Sequence, residues 1–178
     1  PYQFYQFWIN ADDADVPKYT RYFTLRSREE VLEMEASCDA REQKRRLAEE
    51  LTRRIHSDEA YESVMNVSEL LFSRQAGKEQ LLNLKAGELE TVAAEIPSFR
   101  IDPSALREGI NIIDLLAEAT GIVASKGDAR RAIKGNAISI NKDKISDFEA
   151  TVNGESLLHG KFIMVESGKK NKYMLIAE

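Results

Sequence analysis

The stretch SKGDARRAIKGNAISIN at residues 125–141 constrains the fold of this chain more than any other, because a helix signal runs directly into a strand signal there. Ser125 and Asp128 have the spacing of a capping box. In such a box the Ser125 side chain accepts from the Asp128 N–H, and the Asp128 carboxylate accepts from the Ser125 N–H. The pattern predicts a short helix over residues 129–134.

The residues after this helix predict an abrupt change of direction. We expect Gly135 to adopt the left-handed conformation that lets a chain leave a helix. Apolar and polar residues alternate over 137–141, which is typical of a strand, and the polar residues 141–144 predict a turn that folds the strand back. The stretch therefore predicts a helix, a strand and a turn in immediate succession.

Cations cover one side of the predicted helix. Ala129 and Ile133 lie four residues apart and share a face, which we expect to pack inward. The exposed side is left to Lys126, Arg130, Arg131 and Lys134. A row of cations beside a β-turn can lie along a phosphate backbone. A charged face that contacts only water is the alternative, and it stays open at this point.

The first part of the chain carries helical patterns, and we expect an all-α domain over residues 1–74. Phe4, Phe7 and Trp8 have i, i+3, i+4 spacing, which predicts a helix with its aromatic face in the core. An exposed platform on which bases stack is the alternative for these rings.

A long helix is predicted from about residue 41 to residue 56. Leu47, Leu51 and Ile55 recur every four residues and form its predicted buried stripe. Arginines and glutamates alternate on its other faces, which favours i, i+4 ion pairs over phosphate contacts. The sequence Ser-Arg-Glu-Glu at 27–30 is a further capping box and predicts the start of the preceding helix.

The pattern changes in the second part of the chain. Residues 75–109 predict a linker with a short helix that ends before Pro97. Residues 110–178 predict a small α+β domain with two helices and an antiparallel sheet, closed by a hairpin near the C-terminus. The predicted fold is therefore multidomain, an all-α helical domain followed by a small α+β domain.

Composition excludes several classes of protein. The 43% hydrophobic and 31% charged residues predict a soluble globular protein, and no apolar run reaches the length of a membrane span. The lone Cys38 excludes an internal disulfide and a cysteine metal cluster, and it favours an intracellular protein. The net charge is −5, but the cations of the second part of the chain are clustered. Of the 10 cations after residue 109, 7 lie in 126–134 and 169–172.

Catalytic motifs are missing from the sequence. No glycine-rich phosphate loop follows a strand, and no paired-histidine metal motif occurs. His56 and His159 are isolated in sequence, and we expect structural roles for both. We therefore predict no catalytic residues and no metal site.

Three segments of the chain resemble one family in its own order. Residues 1–10 (PYQFYQFWIN) with 12–16 (DDADV), and residues 47–56 (LAEELTRRIH), are similar to the helical anticodon-binding region of bacterial tyrosyl-tRNA synthetases. Residues 125–141 together with 168–176 (GKKNKYMLI) resemble the small RNA-binding module named after ribosomal protein S-four. The chain thus looks like the C-terminal portion of that class I synthetase family, with an S-four-like domain at 110–178.

The resemblance implies RNA binding without catalysis. It implies that the chain recognises the anticodon region and long variable arm of tyrosine tRNA, and that it binds neither DNA nor a membrane. The family's ATP signatures do not occur here, so ATP and magnesium would belong to a domain absent from this chain. We expect the chain neither to form tyrosyl-adenylate nor to charge tRNA, which a pyrophosphate-exchange assay would test.

The resemblance also implies roles for particular residues. Asp12 and Asp13 are candidates to accept from the guanine edge of the first anticodon base. The expected phosphate contacts are the cations of the two basic stretches, Lys126, Arg130, Arg131, Lys134, Lys169, Lys170 and Lys172. The location implied is the cytoplasm. We expect this portion to be a monomer, and the whole enzyme to be a homodimer through the absent domain.

Two other functions remain open on the sequence. The S-four-type module also occurs in proteins that act on ribosomal RNA, although the helical N-terminal match disfavours that target. The second alternative is a protein-interaction module whose aromatic opening packs on another domain.

Overall fold

A computed structural model describes residues 1–73, 76–168 and 171–178. The chain forms two compact units, Pro1–Asn66 and Val67–Glu178. The first is helical and the second mixes helices with a small sheet, which confirms the predicted fold class. None of the helices in the described ranges is long and apolar enough to cross a membrane.

Helices build the whole of the first unit. They are α1 (Tyr2–Ile9), α2 (Val16–Phe23), α3 (Arg28–Ser37), α4 (Ala40–Ile55) and the first part of α5 (Asp58–Phe72). The predicted capping box opens α3: Ser27 accepts from the Glu30 N–H at 3.2 Å, and Glu30 accepts from the Ser27 N–H at 2.7 Å. Asp39 caps α4 by accepting from the Glu42 N–H at 2.8 Å.

The core of the first unit uses a different aromatic face from the predicted one. Tyr2, Tyr5 and Trp8 are buried, whereas Phe7 is 60% exposed. The prediction that Phe7 packs inward is therefore wrong. The buried residues Tyr2, Tyr5 and Trp8 are three positions apart. A short helix can bury side chains at i, i+3 spacing as well as at i, i+4 spacing.

The predicted stripe of α4 holds for two of its three residues. Leu47 and Leu51 are buried, but Ile55 is exposed. Ile55 is the last residue of α4, and the chain departs at His56. A position at a helix end has fewer neighbours than its periodicity suggests, which explains the error.

The second unit begins with elements that the sequence analysis placed in a linker. They are α6 (Lys78–Asn83), α7 (Ala86–Glu95), β1 (Ser98–Ile101) and α8 (Pro103–Glu108). Strand β1 pairs in parallel with β7 (Asn171–Ala177), with Ser98 opposite Met174. Residues 78–108 thus carry three helices and a strand where a linker with a short helix was expected, because a parallel partner more than 70 residues away cannot be inferred from local pattern.

The rest of the second unit completes the sheet and its covering helices. These elements are β2 (Ile110–Asn111), α9 (Ile112–Asp114) with a π-helical continuation (Leu115–Ala119), α10 (Lys126–Lys134), β3 (Ile138–Ile140), β4 (Asp143–Lys144), β5 (Thr151–Val152) and β6 (Phe162–Ser167). The main sheet has the order β1-β7-β6-β3-β4, and β2 pairs with β5 separately. Only the β1–β7 pair among these described strands is parallel, so the sheet is mixed and not purely antiparallel.

The core of the second unit positions α10. Ala129 and Ile133 are buried in a cluster with Leu116, Ile138 and Ile163, as the spacing of four predicted. Packing of this face fixes the helix and leaves its opposite side in solvent.

The predicted conformation of Gly135 is wrong. Gly135 has φ −77°, and the left-handed residue is Asn136 with φ 54°. A Cβ added at Gly135 would lie 3.2 Å from the Arg131 carbonyl oxygen. The glycine therefore relieves a close approach to the preceding turn, and asparagine is among the residues that tolerate the left-handed region.

Candidate RNA-binding surface

The start of α10 is capped, but the acid does not act as predicted. Ser125 Oγ accepts from the Asp128 N–H at 3.1 Å. The Asp128 carboxylate accepts from the Ser125 hydroxyl at 2.7 Å and from Arg131, not from the Ser125 N–H. The shorter aspartate side chain reaches the hydroxyl in place of the backbone. These two hydrogen bonds lower the pKa of Asp128.

Two of the four cations predicted on α10 are neutralised by neighbouring acids. Arg131 pairs with Asp128 three residues before it. Lys126 Nζ lies 2.7 Å from Asp114 and 2.9 Å from Glu118, in the preceding helix. These two acids raise the pKa of Lys126. A phosphate that approached either cation would compete with a carboxylate already in place.

The other two cations of α10 are available to an anion. Arg130 and Lys134 are exposed and lie four residues apart, so they share one helix face. Within the described ranges neither makes an ion pair. Arg130 and Lys134 therefore form the part of the predicted basic row that faces solvent without a counter-charge.

Lys172 has a structural partner. Its ammonium donates to the carbonyl oxygens of Leu70 and of Leu71, the latter at 2.8 Å, in the last turn of α5. Burial lowers the pKa of Lys172, and the nearby charge of Lys142 lowers it further. A cation at a helix C-terminus satisfies carbonyls that lack helical partners. The other predicted contacts of this stretch, Lys169 and Lys170, lie outside the described residues.

The two anticodon candidates of the first unit lie before α2. Asp12 Oδ1 accepts from the Ala14 N–H at 2.9 Å, which stabilises the turn. Asp13 is exposed and pairs with Lys44 of α4. Asp15, the residue before α2, makes no side-chain capping bond. Both candidates are thus at the surface, each with one partner within the first unit.

The arginines of α4 are held by carboxylates, as the sequence predicted. Arg45 and Arg46 each donate to Glu42 at 2.8 Å. These bonds lower the pKa of Glu42 to about 2. Arg53 pairs with Glu49 at 3.1 Å, and Arg54 lies 3.7 Å from Glu50. Each of these four arginines of α4 therefore already has a carboxylate beside it.

The sequence analysis missed a cleft of about 770 Å³ in the second unit. The cleft lies where the end of α5, the start of α6 and the β3–β4 turn meet. Its cations are Lys78, Lys142, Lys144 and Lys172, and Phe72 lies at its wall. The signal in the sequence was the pair of lysines in the turn Asn-Lys-Asp-Lys at 141–144, but only the fold brings them to α5 and α6.

Neither histidine belongs to a catalytic arrangement. The His159 Nε2 lies 2.7 Å from the Leu84 carbonyl oxygen, and the His56 ring packs edge-on against Phe4. Among the described residues, no three side chains of His, Cys, Asp or Glu are grouped so as to hold a metal ion.

Comparison with protein families matches both units. Residues 88–176 match the family described as the tyrosine--tRNA ligase SYY-like C-terminal domain. Residues 1–73 match the tRNA synthetases of class I for tryptophan and tyrosine (W and Y).

Similar curated proteins are longer than this chain. A tyrosine--tRNA ligase of Porphyromonas gingivalis strain W83 is 41% identical over 183 residues, which covers 100% of the chain and 42% of that protein. The same enzyme of Bacteroides thetaiotaomicron is 37% identical with the same coverage. The one of Cytophaga hutchinsonii is 41% identical over 98% of the chain and 42% of its own length. The chain therefore spans about two fifths of the length of these relatives.

A solved structure is also similar in sequence. The solution structure of a tyrosyl-tRNA synthetase C-terminal domain is 31% identical. It covers 58% of this chain and 97% of its own, with a TM-score of 0.44.

Proposed function

The chain belongs to the tyrosine--tRNA ligase family, and from this premise we propose that it binds tyrosine tRNA as the C-terminal, noncatalytic region of that enzyme. The observation that carries the proposal is the exposed pair Arg130 and Lys134 on α10. Their helix is anchored through Ala129 and Ile133, so the two cations are presented at a fixed spacing. Cations placed in this way contact phosphates and position an RNA without reading its sequence.

The remaining roles follow from the family and complete the proposal. The part of the relatives that this chain does not span attaches tyrosine to tRNA, using ATP and magnesium. Homodimerisation of the whole enzyme uses that same part, and the chain by itself is monomeric. The site of action is the cytoplasm.

Base recognition is assigned to the first unit. Asp12 or Asp13 accepts from the N1–H and N2–H₂ edge of the guanine at the first anticodon position. The exposure of both carboxylates, and the single hydrogen-bond or ion-pair partner of each, support this role. Carboxylates read base edges by accepting from exocyclic amines and ring N–H groups.

A titration series tests the proposal. Fluorescently labelled tyrosine tRNA, a different tRNA with a long variable arm, and a ribosomal RNA fragment are each titrated with the chain at several salt concentrations. We expect the tightest binding to tyrosine tRNA, and a decline of log K with log salt that reports phosphate contacts. Equal binding to all three, or preference for the ribosomal fragment, would contradict the proposal.

The same titration separates base reading from phosphate contact. A tyrosine tRNA with a changed first anticodon base is compared with the natural one, for the parent chain and for Asp12→Ala and Asp13→Ala. We expect one of these variants to lose the preference, while Glu29→Ala, an exposed acid of α3, keeps it. An unaltered preference in both aspartate variants would remove these residues from the site.

A further inference from the structure

The cleft in the second unit carries more positive than negative charge. Lys78 pairs with Asp143 at 2.5 Å, and Lys142 pairs with Glu166 at 2.7 Å. Lys172 is held by carbonyl oxygens of α5, which carry no full charge. Lys144 is exposed and makes no ion pair with any residue that the structure describes. Among the residues that the structure describes, four lysines therefore face two carboxylates here.

An anion in the cleft would relieve repulsion that the fold has built in. Burial lowers the pKa of Lys172, and the positive charge of Lys142, which also lines the cleft, lowers it further. Lys142 stands in the β3–β4 turn with φ 73°, a left-handed conformation uncommon in residues other than glycine. The turn thus holds Lys142 at the wall of the cleft, paired with Glu166.

An aromatic ring lies beside these cations. Phe72 is the last residue of α5 and its side chain is 71% exposed. It makes no ring contact with another aromatic residue in the described ranges. An exposed ring next to an unpaired lysine matches the two chemical parts of a nucleotide, a flat base and an anionic phosphate.

We propose that this cleft takes one unpaired nucleotide of the bound RNA, with its base stacked on Phe72 and its phosphate at Lys144. The proposal rests on the proposed function, since it names a contact of the same RNA. Lys142 and Lys78, held by Glu166 and Asp143, line the cavity. The volume of about 770 Å³ lies within the range of small-ligand sites in proteins.

The test measures how each group of the cleft contributes to binding of tyrosine tRNA by the whole chain. We expect Phe72→Ala to weaken binding at least fivefold, because base–aromatic stacking typically contributes that much or more. Phe72→Tyr should stay within about twofold of the parent. Phe72→Leu should behave like Phe72→Ala, since leucine keeps apolar bulk but has no π face. If Phe72 had a purely structural role, Phe72→Leu would bind like the parent chain and not like Phe72→Ala.

Matched controls come from the same unit. Phe148 is also exposed, so Phe148→Ala should bind like the parent. Lys144→Ala should reduce the slope of log K against log salt by about 0.7, the value for one phosphate of a single strand. Lys85→Ala, a change at another exposed lysine, should leave the slope unchanged.

The outcomes distinguish this inference from the proposed function. Parent-like binding by both Phe72→Ala and Lys144→Ala, with tight binding by the parent chain, would overturn the cleft and leave the proposed function standing. A parent chain that binds no RNA would overturn both. Adenosine and uridine monophosphates are added in a separate arm. Strong binding of a free monophosphate that tRNA does not displace would show that the occupant is a free nucleotide, which contradicts the proposal.

Discussion

Two helices of this protein are rich in cations, and they differ in what the cations do. In α4 the arginines alternate with glutamates at spacings of three and four, and Arg45, Arg46 and Arg53 are all paired within the helix. In α10 one acid, Asp128, serves Arg131, and Arg130 and Lys134 are left unpaired within the described part of the chain. The comparison teaches that the placement of acids, more than the number of cations, decides which cations keep no counter-charge among the described residues.

The prediction with the largest expected effect tests whether α4 and α10 belong to units that unfold independently. Leu51 packs in the first unit and Ile163 in the second, and both are almost fully buried. Each truncation to alanine should cost about 2–5 kcal/mol of the free energy of unfolding. Trp8 fluorescence reports the first unit, and hydrogen exchange of the β6 amides reports the second.

We expect Leu51→Ala to shift the Trp8 transition and Ile163→Ala to lower the β6 protection. Equal shifts of both probes in both variants would show one cooperative unit, and the comparison of two separate helices would then lose its basis.

The prediction with the intermediate effect tests whether the unpaired cations of α10, and not the paired arginines of α4, contact RNA. Arg130→Ala with Lys134→Ala should lower the slope of log K against log salt for tyrosine tRNA by about 1.4 to 1.8, because two contacts contribute about 0.7 to 0.9 each. The matched variant, Arg45→Ala with Arg46→Ala, removes the same amount of charge from α4. It should leave the slope within error of the parent, and a slope change of similar size in both variants would reverse the conclusion.

The smallest expected effect is the pH dependence of stability that comes from Glu42 and Lys172. Ion pairing lowers the pKa of the first group, and burial lowers the pKa of the second. The pKa of Glu42 lies at about 2, because Arg45 and Arg46 bond to its charged form. Its contribution to stability is therefore complete above the unfolded value and is lost as pH falls toward about 2. The pKa of Lys172 is lowered by burial, so the folded state gains stability as pH rises from the lowered pKa toward the unfolded value.

Nuclear magnetic resonance can follow both groups. We expect the side-chain carboxyl carbon of Glu42 to titrate below the range of glutamate in an unfolded peptide, and the Lys172 Nζ to titrate below the range of lysine in an unfolded peptide. Ordinary midpoints at both groups would mean that the ion pairs of α4 and the buried lysine of β7 are not maintained in solution.

Local signals in the sequence predicted most of the elements. The capping box of Ser27 and Glu30 and the alternation before the β3–β4 turn both appear in the structure at the expected places. The errors at Phe7, Ile55 and Gly135 share a cause. Periodicity gives the residues that can share a face, but packing partners and close backbone approaches select which of them do.

The sequence by itself determined most of the helices, the strand after α10, the C-terminal hairpin, the family and the two basic stretches, because each depends on residues that are near one another along the chain. Only the tertiary structure decided which cations remain free. Lys126 is neutralised by acids of the helix before it, and Lys172 donates to a helix end that lies 102 residues away at Leu70. Electrostatic pairing depends on distance in space, so a charge that looks available in the sequence can be already satisfied in the fold.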